Sequence, residues 1–295
     1  MPVIDERPDL DLSAVIYATD FSVCSQNAGI YAAFLAKRFS AKLLVAHAFT
    51  LSQAAMEVEI DRSLISKQRK DLEFLLSRKA FALAHGSIEA MPVLLDGDPK
   101  RMLPVLADNN APSLIVLGTH GRGWVEREII GSVAESILRS TSWPALTVGP
   151  HVQSAEDKPL PFQRILYATD FTPAAVRAAV YAVSFAEAFR SDIDVLNVVQ
   201  RETIDHPDRL SDLRDRFYRA LDDLVPQQAK EFCHPRSFVE VGDAHHRILE
   251  HIKERSIDLL VLGIRRSSHL SIERRMSRAF QLVIHAACPV LTIVG

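Results

Sequence analysis

The sequence predicts an α/β fold made twice over: two domains in tandem, each a five-stranded parallel sheet with helices on both faces. Three observations carry that prediction. Val15-Ile16-Tyr17-Ala18-Thr19-Asp20-Phe21-Ser22 returns as Ile165-Leu166-Tyr167-Ala168-Thr169-Asp170-Phe171-Thr172, and Leu114-Ile115-Val116-Leu117-Gly118 returns as Leu259-Leu260-Val261-Leu262-Gly263. Self-similarity at that spacing marks a duplicated structural unit. Short β-branched runs alternate with longer amphipathic stretches in each half, the pattern of parallel strands joined by right-handed crossovers. The runs are nearly continuous in apolar residues, as strands covered on both faces must be.

In the first half, strands are expected at 14–19, 42–48, 88–95, 113–118 and 145–149, and helices at 24–39, 55–84, 99–110 and 132–141. In the second half the strands fall at 164–169, 192–199, 236–241, 258–263 and 290–294, and the helices at 174–190, 207–232, 244–255 and 275–286. Turn chemistry sets several boundaries. Asp96-Gly97-Asp98-Pro99 supplies a turn glycine, an N-cap aspartate and a proline at the first helical position. Val241-Gly242-Asp243 repeats the first part of that arrangement. Trp143-Pro144 and Cys288-Pro289 each close a helix before the final strand, because a residue ahead of proline avoids the helical region.

Subtraction fixes the register of the copies. Asp20 to Asp170 is an offset of 150, and Gly118 to Gly263 is an offset of 145, so the second copy is about five residues shorter in between. Trp143-Pro144 against Cys288-Pro289 keeps 145. The segment from Pro150 to Pro161 is polar and without periodicity, which divides the chain into a first domain at 1–150, a linker at 151–163 and a second domain at 164–295.

Bulk composition excludes more than it identifies. Hydrophobic residues at 48% and charged ones at 24% describe an ordinary globular chain, and a net charge of -3 gives no reason to expect nucleic acid. Arg265, Arg266, Arg274, Arg275 and Arg278 gather locally without interleaved aromatics, which reads as a solvated face. Cys24, Cys233 and Cys288 are odd in number and lack CxxC spacing, so neither a disulfide framework nor a zinc site is expected. No apolar run is long enough to span a bilayer, and no signal segment opens the chain, so the expected setting is cytoplasmic.

The chemistry concentrates after the fourth strand. Gly118-x2-Gly121-x9-Gly131-Ser132, with Gly123 as an extra glycine, follows an apolar strand and precedes a helix. Glycines let a backbone turn sharply and bring its N–H groups near phosphate oxygens. The free N–H groups and positive dipole end of the helix opening at Gly131-Ser132 suit a phosphate, and the Ser132 hydroxyl adds a donor. In a doubly wound sheet Asp20 and Gly118 end neighbouring strands at the point where strand order reverses, where ligands collect. The spacing is neither a Walker A loop nor Gly-x-Gly-x-x-Gly. In the second copy Arg266 stands for Gly121 and Met276 for Gly131, so the cradle is lost there.

On these residues the chain resembles a tandem universal stress protein, whose nucleotide-binding members carry Gly-x2-Gly-x9-Gly-Ser/Thr after the fourth strand. The resemblance spans both halves. It implies two Rossmann-like domains of the adenine nucleotide alpha hydrolase type, ATP binding with Mg²⁺ as a possible companion, sometimes slow hydrolysis, and a role in stress survival. It also implies that the two domains pair as a pseudo-dimer within the chain, with a homodimer as a further form. The family's first-strand aspartate, turned toward the adenosine, falls on Asp20, with Ala18 and Thr19 before it. The adenine-lining segment that closes the second strand falls on His47-Ala48. The phosphate loop falls on Leu117, Gly118, His120, Gly121, Gly131, Ser132 and Val133. Ala134 stands where many members have a second hydroxyl, which removes one phosphate contact.

Plainer readings stand beside these. The glycine loop could be a surface loop that binds nothing. Asp170 survives in the copy whose cradle is gone, so Asp20 has either a purely structural role or a ligand-contacting one. His120 either faces a phosphate or is solvent-exposed, and Trp124 either shields the phosphates or packs on the domain. His245-His246 lacks partners at ligand spacing, and no histidine is placed by a motif to activate Ser132, so no metal and no catalytic residue is assigned. Three function classes follow: a nucleotide-binding module, a slow ATPase with Asp20 as its one obvious carboxylate, and a nucleotide-independent scaffold or chaperone-like protein.

Overall fold

The computed structural model describes residues 10–50, 62–84, 88–121, 130–154, 162–200, 207–224, 233–265 and 272–295. The chain forms two compact units, the first drawn from 11–148 and the second from 149–295 within the described residues. In the first unit the order is β1 (Ala14–Ala18), α1 (Val23–Arg38), β2 (Lys42–Phe49), α2 (Arg62–Ala84), β3 (Ala90–Asp96), α3 (Pro99–Asn109), β4 (Ser113–Gly118), α4 (Ser132–Ser140) and β5 (Ala145–Val148). Its strands lie β3-β2-β1-β4-β5, every pair parallel.

The second unit runs β6 (Arg164–Ala168), α5 (Pro173–Phe189), β7 (Asp192–Val199), α6 (Pro207–Leu224), β8 (Pro235–Val241), α7 (Ala244–Glu254), β9 (Leu259–Ile264), α8 (Ile272–His285) and β10 (Val290–Val294). Its strands lie β10-β9-β6-β7-β8, the same winding, again parallel. The expected helices at 55–84 and 207–232 are seen as 62–84 and 207–224, and 55–61 and 225–232 lie outside the described residues. Among the described residues no helix is long and apolar enough to cross a membrane.

Burial explains the unbroken apolar runs. Successive strand residues point to opposite faces, yet Val15, Ile16 and Tyr17 are all fully buried, so both faces of β1 are covered. Each large side chain removed from water in this way contributes about 1.5–3 kcal/mol. A buried tyrosine needs a partner for its hydroxyl, and the duplicated tyrosine has one in each copy. Tyr17 donates to the Ser25 carbonyl at 2.6 Å, and Tyr167 donates to the Ala175 carbonyl at 2.6 Å. That bond fastens the first turn of the following helix to the strand, and burial pushes the Tyr17 hydroxyl above its ordinary range.

Among the described residues, four helix starts are closed by side chains. Ser22, Asp98, Thr172 and Asp243 accept from the backbone N–H of Ser25, Lys100, Ala175 and His246. Each such cap contributes about 1 kcal/mol. Helix α4 differs: its N-cap is Gly131, and no side chain caps it.

The second unit replaces part of the apolar packing with charge. Asp194 on β7 is 1% exposed and meets Arg236 Nε at 2.9 Å, Arg255 Nε at 2.6 Å and His251 Nε2 at 3.2 Å. His251 Nδ1 reaches Glu240 Oε1 at 3.1 Å. Burial opposes ionisation of Asp194, but the bonds from His251 and Arg255 and the charge of Arg236 outweigh it and hold the carboxyl below its usual range. Register pairs Asp194 with Arg236 here and Leu44 with Met91 in the first unit, so the matched positions there are apolar.

Candidate functional site

In the first unit β1 and β4 are neighbours, and their carboxyl ends open onto a cavity of about 380 Å³. Five segments wall it. The end of β1 brings Ala18, Thr19 and Asp20, with Ser25 from α1 behind them. β2 brings Ala46, His47 and Ala48, and the first two turns of α3 bring Pro99 and Leu103. From β4 come Leu117, Gly118, Thr119, His120 and Gly121, and across from them Gly131, Ser132, Val133 and Ala134 open α4. Every site residue expected from the sequence therefore lines one cavity. Ser25, Ala46, Pro99, Leu103 and Thr119 were not expected. Period-two alternation from Ala48 signals Ala46, and the Asp98-Pro99 cap signals the α3 wall. Gly123 and Trp124 lie outside the described residues.

The turn after β1 is held the same way in both units. Phe21 has φ 63° and Phe171 has φ 58°, a left-handed conformation that side chains other than glycine rarely adopt. Two bonds hold it. The Phe21 N–H donates to Thr19 Oγ1 at 3.0 Å, and the Ser22 N–H donates to Asp20 Oδ1 at 3.0 Å. The second unit repeats both, from Phe171 to Thr169 Oγ1 and from Thr172 to Asp170 Oδ1, each at 3.1 Å. One oxygen of Asp20 thus has a structural task, which explains why Asp170 persists without a glycine cradle. The other oxygen faces the loop: a Cβ placed on Gly121 would lie 2.8 Å from Asp20 Oδ2.

The glycines divide into two kinds. A Cβ on Gly118 would stand 3.0 Å from the backbone of Cys24 and Ser25, and one on Gly263 would stand 2.3 Å from the backbone of Ala174 and Ala175. Both copies keep this glycine because the strand end passes against the start of the helix that follows the first strand of its unit, α1 or α5. Gly121 and Gly131 border the cavity as Gly118 does, a Cβ on Gly131 standing 3.0 Å from the Thr119 carbonyl oxygen, and of these three the second copy lacks Gly121 and Gly131. The Gly131 N–H is already bonded to the Thr119 carbonyl at 2.7 Å. The open donors of α4 are therefore the N–H groups of Ser132, Val133 and Ala134 in its first turn, which its cap residue, having no side chain, leaves uncapped.

His120 corrects the exposed-loop reading. It is 4% exposed, and its Nδ1 lies 2.7 Å from Thr119 Oγ1. Cys24 sits beside the site, and burial together with the Asp20 charge pushes its thiol above the ordinary range. Among the described lining residues Asp20 is the only Asp, Glu, Lys or Arg, so the donors the cavity offers are backbone N–H groups, hydroxyls and histidine rings. Among the described residues no group of three or more His, Cys, Asp and Glu is placed to hold a metal ion.

The second unit differs at the positions matched to the cavity wall. Ala46 and Ala48 become Leu196 and Val198, and Ser25 becomes Ala175. Helices α4 and α8 end at matched positions, since 140 + 145 = 285, but α8 begins at Ile272. The residue matched to Ser132 is Ser277 (132 + 145), which is therefore the sixth residue of α8. Its N–H lies within the helix ladder and is no longer a free first-turn donor.

Comparison with known proteins agrees with this duplication. The model of the Universal stress protein family matches residues 13–149 and again 161–293. A universal stress protein of Methanocaldococcus jannaschii is 30% identical over 137 residues, covering 45% of this chain and 80% of that protein. A relative from Staphylococcus aureus with the same family name is 30% identical over 151 residues, covering 50% of this chain and 88% of that protein. Among solved structures, a universal stress protein from Archaeoglobus fulgidus superposes with a TM-score of 0.73 at 21% identity, covering 96% of this chain and 98% of that one. At that identity the likeness speaks for the fold alone.

Proposed function

The chain belongs to the universal stress protein family, and on that premise we propose that its first domain binds an adenine nucleotide, ATP being the expected ligand. The observation that supports this most directly is the start of α4. Its uncapped first turn opens into the cavity beside Gly121, whereas the matched serine of the second domain is inside a helix. Phosphates would sit on the Ser132, Val133 and Ala134 N–H groups and the Ser132 hydroxyl. The adenosine would occupy the side walled by Ala18, Ala46, Ala48, Pro99 and Leu103. Asp20 brings a negative charge next to the phosphate loop, which favours a ligand accompanied by Mg²⁺. Leu196 and Val198 put larger side chains at the positions matched to Ala46 and Ala48, so one nucleotide per chain is expected.

The site reads as a receptor for a stress-linked nucleotide signal. Hydrolysis would require Asp20 to direct a water, and Asp20 Oδ1 already holds the Ser22 N–H. The test is mass spectrometry of small molecules released from the purified protein, followed by calorimetric titration with ATP. One nucleotide per chain, lost in Gly121→Arg, which copies the second domain's own residue, supports the reading. A flat titration and no released nucleotide would overturn it in favour of a nucleotide-independent scaffold. Phosphate release above the buffer rate would move the protein to the slow-ATPase class.

A further inference from the structure

Residue parity along β2 singles out His47. In a parallel strand the N–H and C=O of one residue point to the same neighbour, and alternate residues serve opposite neighbours. Leu43 and Phe49 bond toward β3, through Leu43 N–H to the Glu89 carbonyl at 2.8 Å and Gly97 N–H to the Phe49 carbonyl at 3.0 Å. Ala46 bonds toward β1, accepting from the Thr19 N–H at 2.9 Å. Ala48 shares the parity of Ala46, so its N–H also faces the β1 side, and the next rung of the ladder would run from Ala48 N–H to the Thr19 carbonyl. At that carbonyl stands a side chain instead: His47 Nδ1, at 2.7 Å. A carbonyl only accepts, so Nδ1 carries the hydrogen.

The second domain repeats the contact with different chemistry. The Thr169 N–H bonds the Leu196 carbonyl at 2.9 Å, and Asn197 Nδ2 donates to the Thr169 carbonyl at 2.8 Å. An imidazole and an amide at matched positions both place one N–H on the same backbone oxygen. What the two share is that donor. The His47 ring also packs against Phe21 at a centroid distance of 4.9 Å, next to the left-handed turn that carries Asp20.

We propose that His47 is a positioning residue of the nucleotide site, its Nδ1–H capping the Thr19 carbonyl so that the strands part and the Ala48 backbone amide is left to the ligand. This rests on the nucleotide reading for its consequence but not for its geometry. Ala48 lines the cavity, and its N–H becomes a donor to the ligand only while another group satisfies Thr19.

The experiment compares His47→Ala and His47→Asn in the full chain, by calorimetric titration with ATP and by NMR hydrogen exchange of the Ala48 amide without ligand. His47→Ala is expected to weaken ATP binding at least about tenfold. It is also expected to slow Ala48 exchange about tenfold, because the released Thr19 carbonyl becomes free to accept the ladder bond. His47→Asn, which borrows the second domain's solution, keeps both within about threefold of the parent. His47→Leu replaces the alanine variant if that one fails to fold. Loss of a merely structural contact would speed exchange, not slow it. Unchanged or faster Ala48 exchange in His47→Ala overturns the proposal, as does an asparagine variant that behaves like the alanine one. If the parent chain takes no ATP, the nucleotide reading falls, and Ala48 exchange decides the positioning role alone.

Discussion

Gly121→Ala tests the contact between the glycine loop and Asp20 without any ligand. The added Cβ would lie 2.8 Å from Asp20 Oδ2, inside contact distance, and Gly121 itself has no left-handed φ to strain. Asp20 cannot swing away freely, because its Oδ1 accepts the Ser22 N–H at 3.0 Å. Breaking that charge-assisted bond costs about 1.5–3 kcal/mol. Replacing glycine by alanine restrains the unfolded chain and returns about 0.4–1 kcal/mol. The net expectation is a loss of about 1–2 kcal/mol in the parent chain. In an Asp20→Ala background the obstacle is gone, and the same substitution should stabilise by about 0.4–1 kcal/mol. The sign reverses. Both tryptophans, Trp124 and Trp143, lie in the first domain, so urea unfolding followed by tryptophan fluorescence reads this domain. A double-mutant cycle should give a coupling of about 1.5–3 kcal/mol. Equal effects of Gly121→Ala on both backgrounds would refute the reasoning.

The remaining expectations concern the second domain and pH. Asp194→Leu alone removes the carboxylate shared by Arg236, Arg255 and His251, while Arg236 keeps Asp192 and His251 keeps Glu240, and should cost about 1–3 kcal/mol, read by hydrogen exchange in β7 and α7. Adding Arg236→Met, Glu240→Leu, His251→Leu and Arg255→Asn restores the first domain's own residues, Met91, Leu95, Leu106 and Asn110 beside Leu44, and should recover or exceed the parent stability. Because the folded Asp194 carboxyl lies below its unfolded range, its stabilisation is present above about pH 4 and fades as pH falls through the folded value. The five-residue variant should lose that acid limb. His245 is held below its ordinary range first by burial and then by the neighbouring His285, whose ring centroid is 5.5 Å away. The unfolded chain therefore takes up the proton more readily, and second-domain stability should decline as pH drops below about 6.5, less steeply in His245→Phe.

The sequence by itself determined the architecture. Tyr17-Ala18-Thr19-Asp20 and its repeat, the unbroken strands, and the Asp98-Pro99 and Trp143-Pro144 boundaries are local signals, and local signals are what periodicity and turn chemistry encode. It also placed Asp20, Gly121 and Gly131-Ser132 at one end of the sheet, because strand order follows from winding. Tertiary structure decided what each residue does there. Gly118 is glycine because α1 passes over it, and Asp20 spends one oxygen on its own turn. His120 is buried against Thr119, and His47 takes a ladder bond's place across the gap between β1 and β2. These depend on atoms far apart in the chain approaching within a few ångströms. Spacing along a sequence says which residues are brought to the same place, but close packing and the demand that each buried polar group find a partner decide which of them touch.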